Sequence, residues 1–160
     1  MKINIRKSAF ETNSSSMHSL AIIGADRMSQ SSFHTTNIDG NDKILVQSDE
    51  YGWSGDDLTT PLEKLSYIVT LIQYKDSANE IADSKYFQWL SDMVKDYTGY
   101  GLAYAPYIKG NKYNADGYVD HDSTDTLDSE WSTNEEAFKS NMKDIVFNDK
   151  YFIVIDNDNH

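Results

Sequence analysis

The segment YFIVI, Tyr151 to Ile155, is apolar at five successive positions and runs straight into the Asx-rich tail DNDNH. Successive side chains of a strand point to opposite faces, so a run without a polar position has to be covered on both. That predicts an interior strand near the C-terminus, with strands beside it. The rest of the chain has to supply them. With 39% hydrophobic residues, 12% aromatics and 160 residues in all, it has the material for one domain with a packed core.

More strand material lies at the other end. KINIRK, Lys2 to Lys7, alternates apolar and polar positions, and HSLAIIG, His18 to Gly24, is a short apolar run ended by glycine. The two flank residues 8 to 17, which read as a wide hairpin loop. Residues 25 to 42 are polar and turn-rich, which predicts a surface loop, and KILVQS, Lys43 to Ser48, predicts a third strand.

Helical signals follow. Thr60, Pro61 and Glu63 combine an N-cap, a proline at the first helical position and an acid at the third. Leu62, Leu65, Val69 and Ile72 then form one apolar face. A second helix is expected from about Ala78 to Thr98, with Phe87, Leu90, Val94 and Tyr97 as its stripe and Gly99 as its stop. Ser132 and Thr133, followed by Glu135 and Glu136, open a third helix that buries Phe138, Met142 and Ile145. Between the last two, residues 99 to 131 are rich in Tyr, Gly and Asp, and a hairpin over residues 104 to 120 is the expectation. The sum is an α+β fold: a single domain with a small mixed or antiparallel sheet, including the N- and C-terminal strands, covered by about three helices.

Charge narrows the function. Fourteen Lys plus Arg stand against 26 Asp plus Glu, a net charge of −12, and only Arg6 and Arg27 are arginines. Direct nucleic-acid binding needs Lys and Arg for phosphates and base edges. The expected partner is instead a basic protein, with no direct nucleic-acid contact and no membrane contact. No apolar run approaches the roughly 18 to 20 residues that cross a bilayer. The N-terminus has no continuous apolar stretch for a secretory signal. The absence of cysteine removes disulfides and thiolate metal sites. A cytoplasmic location follows as the expectation.

Two stretches are candidate sites. NSSSMHS, Asn13 to Ser19, allows three readings: a structural turn, a donor-rich nest for an anion, or a Ser–His catalytic pair. The last lacks a glycine elbow of the G-x-S-x-G kind. As a polar pocket the set would be Asn13, Ser14, Ser15, Ser16 and His18 facing Glu50 or Asp156. The second stretch lies between Lys112 and Lys139, with eight carboxylates and no Lys or Arg. On a calcium-loop template started at Asp120 it lacks the glycine at position six and the glutamate at position twelve. His121 has no partner at ligand spacing, so neither a metal nor a cofactor is expected. As a docking face the segment would present Asp116, Tyr118, Asp120, Asp122, Asp125, Asp128, Glu130 and Trp131, the aromatics anchoring and the charges steering.

RKSAFETNSSSMHSL, Arg6 to Leu20, resembles the N-terminal signature of a family of small proteins from bacteriophages and prophages of Gram-positive bacteria, in which a Phe-Glu-Thr-Asn-Ser run precedes a His-Ser pair. The likeness continues at SDEYGW and PLEKLSYIVT, and more loosely at the closing DNDN. It implies an origin on a mobile element and a host-cell cytoplasm. It assigns no catalytic role to Ser14, Ser15, Ser16 or His18. Met17 stands where a small or polar residue is expected. Small acidic phage proteins that occupy the nucleic-acid groove of a host defence nuclease, the anti-CRISPR and anti-restriction type, look similar in charge. The expected function is therefore a non-enzymatic inhibitor of a basic host nuclease. The alternative is a small nucleotide- or metal-dependent enzyme built on the Ser-rich loop.

Overall fold

The apolar C-terminal run becomes a strand with neighbours on both sides. The computed structural model describes residues 3–7, 16–29, 33–52, 57–76, 80–104, 117–119 and 123–157. In chain order the strands before the helices are β1 (Ile3–Lys7), β2 (Ser16–Ile23), β3 (Thr35–Ile38), β4 (Asn41–Val46), β5 (Glu50–Tyr51) and β6 (Asp57–Leu58). Helix α1 (Pro61–Lys75), a 3-10 turn at Ile81–Asp83 and helix α2 (Lys85–Thr98) follow. Then come β7 (Gly101–Tyr104), β8 (Tyr118–Val119), helix α3 (Glu135–Phe147) and β9 (Tyr151–Asn157).

The main sheet has the order β1-β2-β9-β6, all neighbours antiparallel, so both chain ends lie in it as the sequence requires. Ile153 and Ile155 of β9 point inward and are essentially unexposed, opposite Leu20 and His18 of β2. A second sheet, β3-β4-β7, joins an antiparallel to a parallel pairing, and β5 and β8 form a short parallel pair. The fold is α+β, with three α-helices among the described residues.

Helix α1 starts as its sequence demands. Thr60 Oγ1 accepts the Glu63 N–H at 3.3 Å, and the Glu63 carboxylate accepts the Thr60 N–H at 3.1 Å, a complete capping box. Its environment differs from the single apolar face expected. Leu65 and every residue from Tyr67 to Ile72 are buried, while Leu62 is 44% exposed. Helices α2 and α3 and strands β4 and β8 all pack against α1, while Tyr74 in its last turn is 46% exposed. The enclosed stretch has no outer face for its polar residues, and this decides the fate of Lys64, Tyr67 and Thr70.

Three expected boundaries move. Helix α2 begins at Lys85, not near Ala78, because Ser84 caps it by accepting the Tyr86 N–H, and the residues before it form the 3-10 turn. Helix α3 is capped by Asn134, whose Oδ1 accepts the Ala137 N–H, rather than by Ser132 or Thr133. Thr35–Ile38, expected within a loop, pairs with β4 through a two-residue turn in which Asp39 and Gly40 have φ of 52° and 85°. An Asp-Gly pair of left-handed residues is a favoured hairpin turn, since its twist matches that of the strands.

Of the hairpin expected over residues 104 to 120, residues 105–116 and 120 lie outside the described residues. β7 pairs in parallel with β4 and β8 in parallel with β5, so the two ends of that segment belong to different sheets. Gly117 makes the second contact possible. Its φ is +67°, and a Cβ placed there would lie 2.5 Å from Ser48 Cβ and 3.0 Å from the Asp49 carbonyl oxygen.

Gly40 and Gly117 provide a controlled comparison. Both have positive φ, but nothing lies within 4 Å of a Cβ built at Gly40. Gly40→Ala is expected to cost about 1 kcal/mol, the left-handed penalty alone, and Gly117→Ala about 2 kcal/mol more. Urea unfolding of both variants checks this; equal losses would refute the close packing at Gly117.

Candidate functional site

In β2 the side chains of His18 and Leu20 share a face with Ile155 and Ile153 of β9, turned toward the helices. His18 is 0% exposed. A buried imidazole needs partners for both nitrogens, and two separate parts of the chain supply them. Nε2 lies 3.0 Å from the Gly52 carbonyl oxygen, next to β5, and Nδ1 lies 2.7 Å from the Tyr67 hydroxyl of α1. A carbonyl only accepts, so Nε2 carries a hydrogen and donates it to Gly52, and Nδ1 forms its bond with the Tyr67 hydroxyl.

The network continues outward. Tyr67, also 0% exposed, places its hydroxyl oxygen 3.0 Å from Thr126 Oγ1, and the Thr126 hydroxyl donates to the Ser123 carbonyl. The Ser123 hydroxyl in turn accepts the His18 backbone N–H at 3.2 Å. Strand β2, helix α1, the Gly52 turn and the 123–126 turn are thus tied at one point. Tyr51 packs edge-on against Tyr67 with ring centroids 5.0 Å apart. Burial, reinforced by the Asp49 carboxylate, pushes the Tyr51 phenol well above its ordinary pKa. The cluster holds secondary structure together, and its histidine has no exposed surface to offer a substrate.

The sequence-derived pocket is distributed differently. Asn13, Ser14 and Ser15 lie outside the described residues. Ser16 stands opposite Asn157 and Met17 opposite Asp156 in the β2–β9 register. Strand pairing therefore brings the end of the Ser-rich stretch beside the C-terminal acid, as one of the readings needed. Alternation then separates the groups: Asp156 is exposed on the face opposite to His18. Glu50 is exposed on β5, and its backbone N–H donates to Asp49 Oδ1 at 2.8 Å.

In the acidic segment, Asp116, Asp120 and Asp122 lie outside the described residues, and Tyr118 is placed by its backbone in β8. The rest do not form an even carboxylate face. Asp125 is half-buried, with Oδ1 buried and without a hydrogen-bond partner. Glu130 is 9% exposed and accepts the Ser129 hydroxyl at 2.6 Å. Asp128 is exposed and paired with Lys75, and Trp131 is half-buried against Tyr86 and Phe138. Among the described residues, no group of three or more His, Asp or Glu is placed to hold a metal.

Sequence reasoning missed Gly52, Tyr67 and Ser123 as the partners of His18, Thr126 as that of Tyr67, and the burial of Lys64. The Lys64 residue is 0% exposed, and its ammonium donates to the Tyr151 carbonyl at 3.0 Å. Burial lowers its pKa to about 8, against the opposing pull of Asp149 and Glu63. Between pH 8 and 10.5 the unfolded chain then holds a proton that the folded one has lost, so the Lys64 contribution to stability rises with pH across that window.

Lys64→Met removes the buried charge and should raise stability at pH 7 by about 1–3 kcal/mol. The gap between variant and wild type should close as pH approaches 10; a gap independent of pH would show that burial does not disturb this lysine. Tyr67→Phe, which deletes one hydroxyl inside the network, is expected to cost about 1–3 kcal/mol in urea unfolding, and a smaller loss would mean the cluster is not a joint of the fold. Comparison with known proteins found no matching family model, no matching curated protein and no matching solved structure.

Proposed function

We propose that the protein works by binding rather than by catalysis, as a phage-encoded inhibitor whose negatively charged surface engages a basic host protein, a defence nuclease being the target class. The observation that carries this reading is how the fold uses its charges. Lys64 is inside the core. Arg27 pairs with Asp149, Lys75 with Asp128, Lys139 with Asp92 and Glu135, and Lys150 with Asp26. Lys150 hydrogen-bonds Asp26 and holds its carboxyl below the usual carboxylate range, so this pair stays charged down into acid. Meanwhile Glu50, Asp57, Glu80, Asp83, Asp96, Glu136 and Asp156 are all exposed.

These cations are engaged within the chain, while the exposed carboxylates just named face water in a protein of net charge −12. Such a surface attracts basic partners at a distance and repels nucleic acid. The enclosure of His18 weighs against the alternative enzyme on the Ser-rich loop, since the base such a site would use is spent on the core. No helix of the described residues is long and apolar enough to cross a membrane.

The test is inhibition of RNA-guided and restriction nucleases, measured together with affinity at two ionic strengths. Cleavage should fall on addition of the protein, and affinity should drop roughly tenfold or more between about 0.05 and 0.3 M salt. Unaffected cleavage across the panel, or binding indifferent to salt, would overturn the proposal.

A further inference from the structure

The C-terminal end of α1, the start of α2, the turn before α3 and the first turns of α3 meet at an aromatic ledge. Tyr86 and Phe138 are its floor, at 9% and 0% exposure, and the half-buried Trp89 and Trp131 are its walls. The Tyr86 ring lies 5.4 Å from Trp89, 5.3 Å from Trp131 and 5.3 Å from Phe138 between centroids. Phe138 completes the set at 5.8 Å from Trp89 and 5.2 Å from Trp131. Neither indole N–H finds an acceptor among the described residues, so both remain available to a partner.

The faces of aromatic rings attract cations, and here the chain's own lysines occupy them. Lys85 Nζ lies 5.2 Å from the Tyr86 centroid and 5.5 Å from that of Trp89, and Lys75 Nζ lies 5.2 Å from that of Trp131. Carboxylates stand alongside. Asp128 pairs with Lys75, and Asp92, one helical turn beyond Trp89, is 3.8 Å from Lys139; their side chains are 57% and 63% exposed. A ring face beside a carboxylate suits a guanidinium better than an ammonium. The guanidinium is flat, stacks on an indole, sheds its water more readily and bonds a carboxylate through two N–H groups at once.

We propose that this ledge is the contact surface of the protein and that its partner presents arginine side chains, which displace Lys85 from Trp89 and then Lys75 from Trp131 while pairing with Asp92 and Asp128. The inference rests on the basic-partner reading above and narrows it from cations in general to arginine. The net charge of −12 draws a basic surface in, and the ledge supplies rigid aromatic anchors with charges at their rim. Lys85 is exposed and forms no ion pair among the described residues, so its displacement costs little. Two positions that the sequence marks for contact, Asp128 and Trp131, lie on the ledge, and α2 adds Trp89 and Asp92.

The intact protein, labelled with nitrogen-15, is titrated with nona-arginine and with nona-lysine while the indole N–H signals are followed. Nona-arginine should bind roughly fivefold or more tightly than nona-lysine, and the Trp89 and Trp131 signals should move. The double variant Asp92→Asn, Asp128→Asn, at exposed positions that leave folding intact, should bring the ratio close to one. Lys85→Gln, which clears a ring face, should tighten nona-arginine binding. Equal, salt-dependent affinity for both peptides, or an arginine preference that survives the double variant with unmoved indole signals, overturns the ledge and leaves the basic-partner reading standing. No binding of either peptide removes both.

Discussion

The fold depends on enclosing a helix that is not purely apolar. α1 lies among both larger sheets' strands and the other two helices, and between Leu65 and Ile72 it has no exposed side. Dispersion and the hydrophobic effect favour that placement for Leu65, Ile68, Val69, Leu71 and Ile72. The same placement strips water from Tyr67, whose hydroxyl must then find partners within the protein. His18 and Thr126 are those partners, and through them the position of α1 is coupled to β2 and to the 123–126 turn. A polar network in a low-dielectric interior tolerates little displacement, because any move leaves a donor or acceptor unmet.

This coupling explains why a histidine in a serine-rich stretch serves the core. The antiparallel pairing of β2 with β9 sets the register, and the register sends His18 inward with Ile155 while sending Asp156 outward with Met17. A shift of one residue would exchange the two faces. Proximity along neighbouring strands thus does not by itself put His18 and Asp156 on one face; the register decides that.

Charge follows a separate logic. Several positive side chains among the described residues are drawn into pairs and onto aromatic rings, at Asp26, Asp128 and Glu135 and over Tyr86, Trp89, Trp131 and Tyr97. Exposed pairs of this kind add little to stability. Their consequence is electrostatic, since each pair occupies a cation in a chain that has few of them.

Much of the fold is written locally. The five apolar residues of β9 demand an interior strand whatever surrounds them, and Thr60, Pro61 and Glu63 mark a helix start by their own hydrogen bonds. The Asp39-Gly40 turn was also local, and the polar stretch around it hid β3 from a reading based on hydrophobic alternation. The acidic balance of the chain needs no coordinates. Other features had no local signal. Lys64 and Tyr67 look like surface positions of an amphipathic helix until three layers close around it. The separation of β7 from β8 depends on strands sixty residues earlier, and the gathering of Trp89, Trp131, Tyr86 and Phe138 joins segments that only packing brings together. Periodicity encodes which side of an element is apolar; what lies against that side is a matter of long-range pairing, which is how His18 comes to lie in the core and how the four rings of the ledge meet.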